Sequence, residues 1–265
     1  MKKIIIASAI AGIFAGQAAY AADAADAAPA PDHAVSFNVG VTNDYRFRGI
    51  SQTRMKPAIS AGADYTNNPT GLYVGAWGSN VEWLKDNTND ASNASLELDI
   101  YGGKRGEIGG FSYDVGAIRY YYPSNKFHLA GYPSANTTEV YGQVGYGPVY
   151  IKYSQAVTKF LGWARSAGAN TDTTGSNYID IGANQEIKDG YILNLHYGKQ
   201  VVKNLSEADY SDWKVGVTKD FGLAVVAVSV VGTNALNSSG AGGYNFSDRG
   251  YLGGTAGVVT VTKTF

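Results

Sequence analysis

Apolar residues recur at every second position along most of this chain, the period of a β-strand with one apolar and one polar face. In Ser36–Phe47 the odd positions Phe37, Val39, Val41, Tyr45 and Phe47 are apolar, and Asn38, Thr42, Asp44 and Arg46 alternate with them. After residue 35 no window carries the three-to-four spacing of an amphipathic helix. The alternation predicts twelve strands, at roughly Ser36–Phe47, Pro57–Tyr65, Leu72–Ser79, Ser95–Gly103, Phe111–Tyr121, Thr138–Tyr146, Val149–Ala156, Tyr178–Gln185, Tyr191–Lys199, Ser211–Thr218, Leu223–Gly232 and Leu252–Phe265. Most approach the ~9–11 residues that a tilted strand needs to cross a bilayer.

The connections sort by parity. Even-to-odd links are short: Thr66–Gly71, Lys104–Gly110, Gly147-Pro148, Glu186–Gly190 and Lys219–Gly222. Most odd-to-even links are long and polar, as in Asn80–Ala94, Tyr122–Thr137, Val157–Asn177 and Thr233–Tyr251. Short periplasmic turns and long extracellular loops describe an all-β fold, a transmembrane antiparallel β-barrel of about twelve strands. A soluble sandwich has no reason to separate its loops in this way. The Val157–Asn177 loop is open to two placements, folded into the barrel or outside it.

The two ends of the chain fit an exported barrel. Lys2 and Lys3, the apolar Ile4–Ala15 and the small-x-small Ala19-Tyr20-Ala21 make residues 1–21 a signal peptide, with cleavage after Ala21. Residues 22–35 then read as a flexible Ala/Pro/Asp leader and 36–265 as the barrel. The last strand ends in Phe265, an aromatic carboxyl terminus of the kind read by the barrel-assembly machinery. Lys263 stands where an apolar residue is usual, and its stem can lie along apolar surface with the amine in water.

Composition sharpens this picture. The chain has 34 Gly and 20 Tyr among 265 residues, 16% charged residues and a net charge of −1. The balance of charge gives no reason to expect nucleic-acid binding. With no Cys, disulfides and thiolate metal sites are excluded.

In a membrane barrel the apolar face meets lipid and the polar face lines the lumen. Leu96, Leu98 and Ile100, Val149, Ile151 and Tyr153, Ile179, Ile181 and Ala183, and Tyr191, Leu193, Leu195 and Tyr197 belong to the lipid face. The opposite parity gives the candidate pore-lining set: Asp44, Arg46, Arg48, Glu97, Asp99, Arg105, Lys152, Asp180, His196 and Lys214. Arg46 and Arg48, flanking Phe47 at the outer end of the first strand, are the first candidates for a selective charge ring. Equally, these charges can pair with one another and fill a narrow interior. Strand five is ambiguous, because Arg119 in the lumen brings Val115 with it unless Gly116 marks a bulge.

Enzymatic and cofactor chemistry finds little support. His33 lies in the leader and His128 in a long loop, leaving His196 as the one credible base, and no Gly-x-Ser-x-Gly elbow accompanies it. Asp86-Asn87-Thr88-Asn89-Asp90 lacks the Gly and the distal Glu of a calcium loop. The Gly102-Gly103 and Gly109-Gly110 pairs precede no helix that could hold a phosphate. No metal, cofactor or catalytic residue is expected.

The segment Ser36–Thr53, with Tyr45-Arg46-Phe47-Arg48-Gly49 at its centre, resembles the opening signature of the TorF-type porins of proteobacteria, the Gcw_chp proteins. Gly71–Trp77 and Tyr210–Val217 are similar to further segments of that family. The resemblance implies an outer-membrane porin barrel and leaves its solute undefined. Small hydrophilic solutes, outer-membrane lipid and the assembly machinery are the expected partners. The alternative is a structural or adhesive surface barrel whose lumen is plugged.

Overall fold

A computed structural model describes residues 31–86, 94–246 and 250–265. Residues 1–30, on which the expected signal peptide and most of the expected leader fall, and Asp90 of the acidic loop lie outside the described residues. Twelve strands form one closed barrel: β1 (His33–Thr42), β2 (Ala58–Asn67), β3 (Leu72–Asn80), β4 (Leu96–Ile108), β5 (Phe111–Tyr121), β6 (Thr137–Tyr146), β7 (Val149–Ala156), β8 (Asn177–Lys188), β9 (Tyr191–Val201), β10 (Tyr210–Asp220), β11 (Val225–Thr233) and β12 (Ala256–Thr264). Every strand pairs antiparallel with its neighbours in sequence, and β1 closes the ring against β12 with Asn38 opposite Thr264. Closure leaves no free sheet edge.

Alternation places the apolar set outside. Ile59, Ile100 and Ile181 are 65%, 59% and 48% exposed, whereas Glu97 and Asp99, alternating with Leu96, Leu98 and Ile100, are 1% exposed. This is the inverse of a soluble barrel, with an outer face suited to hydrocarbon. Exposed Tyr65, Tyr121, Tyr146, Tyr153, Tyr191 and Tyr197 stand toward the strand ends, as an interfacial girdle requires.

The short turns follow even strands and the long loops follow odd ones. Each short turn contains a Gly with φ between +56° and +84°, a conformation costly for other residues. Several boundaries differ from the periodicity: β4 runs on past Gly103 to Ile108 and β8 past Gln185 to Lys188. β1 begins at His33, ahead of Ser36, and stops at Thr42, so Asp44–Phe47 leave the barrel wall despite their alternation. β12 begins at Ala256 and not at Leu252, which belongs to the loop before it.

The uncertainty over β5 resolves without a bulge, since its pairing with β4 and β6 runs unbroken. Asp114, Gly116, Ile118 and Tyr120 alternate inward, and Val115 is 51% exposed. Arg119 faces outward near the loop end of the strand and donates to Thr138 Oγ1 at 2.8 Å. At the opposite rim Phe265 exchanges two backbone hydrogen bonds with Phe37, and Lys263 Nζ donates to the Gly222 carbonyl at 3.1 Å.

The Gly and Tyr excess has a common cause inside the barrel. Several inward Tyr rings lie across an inward Gly of the adjacent strand, as Tyr101 does over Gly75 and Tyr178 over Gly198. A Cβ at either Gly would collide with the ring. Aromatic bulk on one strand therefore requires its absence on the next.

Candidate functional site

The first long loop, residues 43–57, turns back over the barrel mouth. Arg46–Phe47 pairs with Ile50–Ser51 in a minimal hairpin whose turn residues Arg48 and Gly49 have φ of 47° and 80°. Positive φ at both positions is the geometry of a tight hairpin turn, normally occupied by Asn-Gly. Here Arg takes the first position and its side chain reaches across the lumen.

Contacts of this hairpin run round the wall. Tyr45 donates its phenol to Glu97 of β4 at 2.5 Å, and Phe47 packs edge-on against Tyr120 of β5. Arg48 Nη2 donates to Glu139 Oε2 of β6 at 2.6 Å, and Nη1 donates to Gln200 Oε1 of β9 at 2.7 Å. The same guanidinium lies 4.3 Å from the ring centre of Tyr178 in β8, with Phe47 at 4.7 Å and Phe160 at 5.8 Å. Gly49 abuts Asp212 and Thr233 at the ends of β10 and β11. The hairpin thus spans the mouth from the β4 wall to the β11 wall.

Its charges are paired, one within the loop and one to the wall. Asp44 accepts from Arg46 Nε at 2.7 Å and from Ser51 Oγ at 2.6 Å, and Arg46 Nη1 also donates to the Gly254 carbonyl at 2.7 Å. Asp44, Arg46 and Arg48 therefore sit in the inserted loop, and Arg46 and Arg48 are tied into ion pairs with Asp44 and Glu139. Removing one partner of such a dry pair costs about 3–5 kcal/mol, because the other charge stays buried.

Below the hairpin the acids outnumber their cations. Glu97 accepts from two neutral phenols, Tyr45 and Tyr122. Both carboxylate oxygens of Asp99, and Oε1 of Glu139, are sealed from solvent with no hydrogen-bond partner among the described residues. A second network links Asp180, His196 and Asp212. His196 Nδ1 is 2.8 Å from Asp180 Oδ1 and Nε2 is 2.8 Å from Asp212 Oδ2, with the Tyr178 phenol bonded to Asp212. His196 is thus engaged by two carboxylates and a phenol.

Toward the short turns the lumen changes character. Tyr73 donates to Asp114 at 2.6 Å, Tyr101 to Asp64 at 2.7 Å and Arg105 to Thr66 at 3.2 Å, while Lys152 Nζ sits 4.1 Å from the Tyr141 ring centre. Asp64, Arg105, Asp114 and Lys152 are all partly exposed.

Glu97, Asp99, Arg105, Lys152, Asp180, His196 and Lys214 all alternate inward. Further inward charges outside the candidate set drawn from the sequence include Asp64, Asp114, Glu139 and Asp212. Asp212 stands two residues before Lys214, so the same alternation carries it.

The Val157–Asn177 loop covers the mouth and does not thread it. Phe160 is buried against Ala156, Val202, Leu205 and Ala208, and Trp163 packs edge-on against Tyr244. Its Asp172 carboxyl is held below the usual range by hydrogen bonds from the Thr174 backbone and hydroxyl. Glu207 is likewise lowered, first by its own backbone N–H and further by Arg165.

Among solved structures the chain is similar to the outer membrane protein opdK of Pseudomonas aeruginosa, at 10% identity over 89% of this chain and 67% of that one, with a TM-score of 0.41. It is similar to OccAB1 of Acinetobacter baumannii at 15% identity, 84% and 59% coverage and a TM-score of 0.40. A mutant of the Rh. blastica porin gives 12% identity, 78% and 55% coverage and a TM-score of 0.37. The chain thus spans a little over half to two thirds of those chains. No curated protein matches the chain in sequence. The model of one family matches residues 26–265, and the chain belongs to that family, described as bacterial protein of unknown function (Gcw_chp).

Proposed function

We propose that this protein is an outer-membrane channel for passive diffusion of small hydrophilic solutes, narrowed at its outer mouth by the Arg46–Ser51 hairpin. One observation carries the reading: a closed barrel that is apolar outside and charged within. Such an outside is stable only against lipid, and a wall with this many charges needs water, counter-charges or solute inside. The TorF-type porin resemblance of Ser36–Thr53 supports the same reading. Export with cleavage after Ala21 and assembly through the Phe265 terminus complete it.

A second reading has its own observation. The hairpin and the aromatic cluster under it fill the mouth, which suits a structural or adhesive barrel with working loops and no transport. Planar bilayers separate the two. Purified, folded protein is expected to give discrete conductance steps, and their absence would overturn the channel and favour the plugged barrel.

A further inference from the structure

The guanidinium of Arg48 is surrounded as a bound ligand would be. It has a carboxylate oxygen of Glu139 at 2.6 Å, an amide oxygen of Gln200 at 2.7 Å and the ring of Tyr178 at 4.3 Å. Those three groups belong to the barrel wall, and the ring of Phe160 comes from the loop above. Only Phe47 travels with the hairpin. A wall carboxylate, an amide oxygen and aromatic faces together form a receptor for a flat or compact organic cation.

Two further observations point to an exchangeable occupant. Glu139 is 1% exposed and its Oε1 has no partner, so the wall offers acceptor capacity that Arg48 leaves unused. Arg48 also holds φ at 47°, a conformation that L residues seldom adopt outside such turns. The side-chain contacts therefore hold a strained backbone in place, and a free cation with the same head group binds without that cost.

We propose that the cage of Glu139, Gln200, Tyr178 and Phe160 is a binding site for small guanidinium or alkylammonium solutes, with Arg48 as its built-in competitor. Such a solute displaces Arg48 and frees the hairpin from the far wall. The passage of these solutes rests on the channel reading; occupancy of the cage does not.

Arg48→Ala empties the cage, and methylguanidinium chloride is the probe, compared with sodium chloride at equal ionic strength in detergent micelles. The expected result is a lowered Tm that methylguanidinium restores at a concentration about tenfold below sodium's, the ratio of a ~1.4 kcal/mol preference. The double variant Arg48→Ala/Glu139→Gln is expected to respond equally to both salts. Equal response in Arg48→Ala itself, or selective recovery surviving in the double variant, would overturn the site. Should Arg48→Ala not fold, Arg48→Gln, whose shorter uncharged side chain leaves the cage open, carries the same comparison, and lack of selectivity there overturns the site equally. Bilayer recordings of the same samples form the second arm. Selective recovery without conductance keeps the cage and removes the channel, while conductance without selective recovery does the reverse.

Discussion

At the outer mouth Glu97, Asp99, Glu139 and Asp212 are no more than 2% exposed and lie among aromatic rings, whereas Asp64, Asp114, Arg105 and Lys152 near the short turns keep contact with solvent. Both sets stand on strands of one barrel and point into the same lumen. The loops make the difference. Long connections at one end supply the hairpin, Phe127, Phe160 and Trp163, which pack the mouth until its charges are dry. Tight turns of a few residues at the other end have nothing to fold inward, so water satisfies the same kinds of side chain. Dry charges need named partners and fail when one is lost; wet charges do not.

The strongest way to break this contrast is to crowd the mouth. Gly198→Val drives a side chain into the Tyr178 ring and Asp212, which are held in place by their hydrogen bonds to each other and to His196. Loss of the folded barrel is expected, read as loss of the heat-dependent shift in gel migration. Gly257→Val, at an outward position with no atom within 4 Å of the new Cβ, is expected to leave that shift intact. Equal behaviour of the two variants would mean that the mouth is not tightly packed.

Next in size is to make the mouth resemble the other end. Replacing residues 44–53 by a short Gly/Ser link removes Tyr45, Phe47 and Arg48 from the lumen together. Single-channel conductance is expected to rise severalfold. Stability should fall by about 3–5 kcal/mol for the broken Arg48–Glu139 pair. Unchanged conductance would place the narrowest point elsewhere.

Charge removal tests the contrast more gently. Asp212→Asn takes one of the two carboxyl partners of His196 out of the dry wall, and cation-over-anion permeability should fall by on the order of tenfold, a ~1.4 kcal/mol effect. Asp114→Asn at the wet end should change it by less than about twofold, within the range of screened, exposed charges. Reversal potentials in a salt gradient measure both. A larger effect at Asp114 would put the selective region at the short-turn end.

The barrel was legible in the sequence because inside and outside differ at every second residue, and the turns differ by parity. The hairpin was not, and the reason is physical. Tyr45 and Phe47 alternate with Asp44 and Arg46 as strand residues do, so periodicity runs on past Thr42, where pairing stops. The sign of a turn is Gly49, but the residue before it is Arg where Asn is usual, and Arg accepts the conformation only because Glu139 and Gln200 hold its side chain. That is a contact some ninety residues away, beyond the reach of a local pattern. Glu139 itself was open to the alternation, since it has the parity opposite to the outward Val140 and Val144. Asp114 was lost to the undecided parity of β5, which only the pairing with β4 and β6 resolves.

The smallest effect lies above the mouth, where loops meet water. Asp172 and Glu207 are exposed, and both carboxyls are held below their ordinary range by hydrogen bonds to the ionised form. A carboxyl whose folded value is depressed contributes stability above its unfolded value, and loses it as pH falls through the folded one. Acidification below the ordinary carboxylate range should therefore loosen the turn at Asp172–Thr174 and the Arg165–Glu207 pair while the strands hold. Exposed pairs of this kind contribute little, so the expected sign is local: faster amide exchange at residues 165–174 and 204–207, with protection in β8 and β9 unchanged. Exchange that accelerates in the strands at the same pH would mean that the loop cap and the wall open as one unit, and the separation of a packed mouth from its supporting barrel would no longer stand.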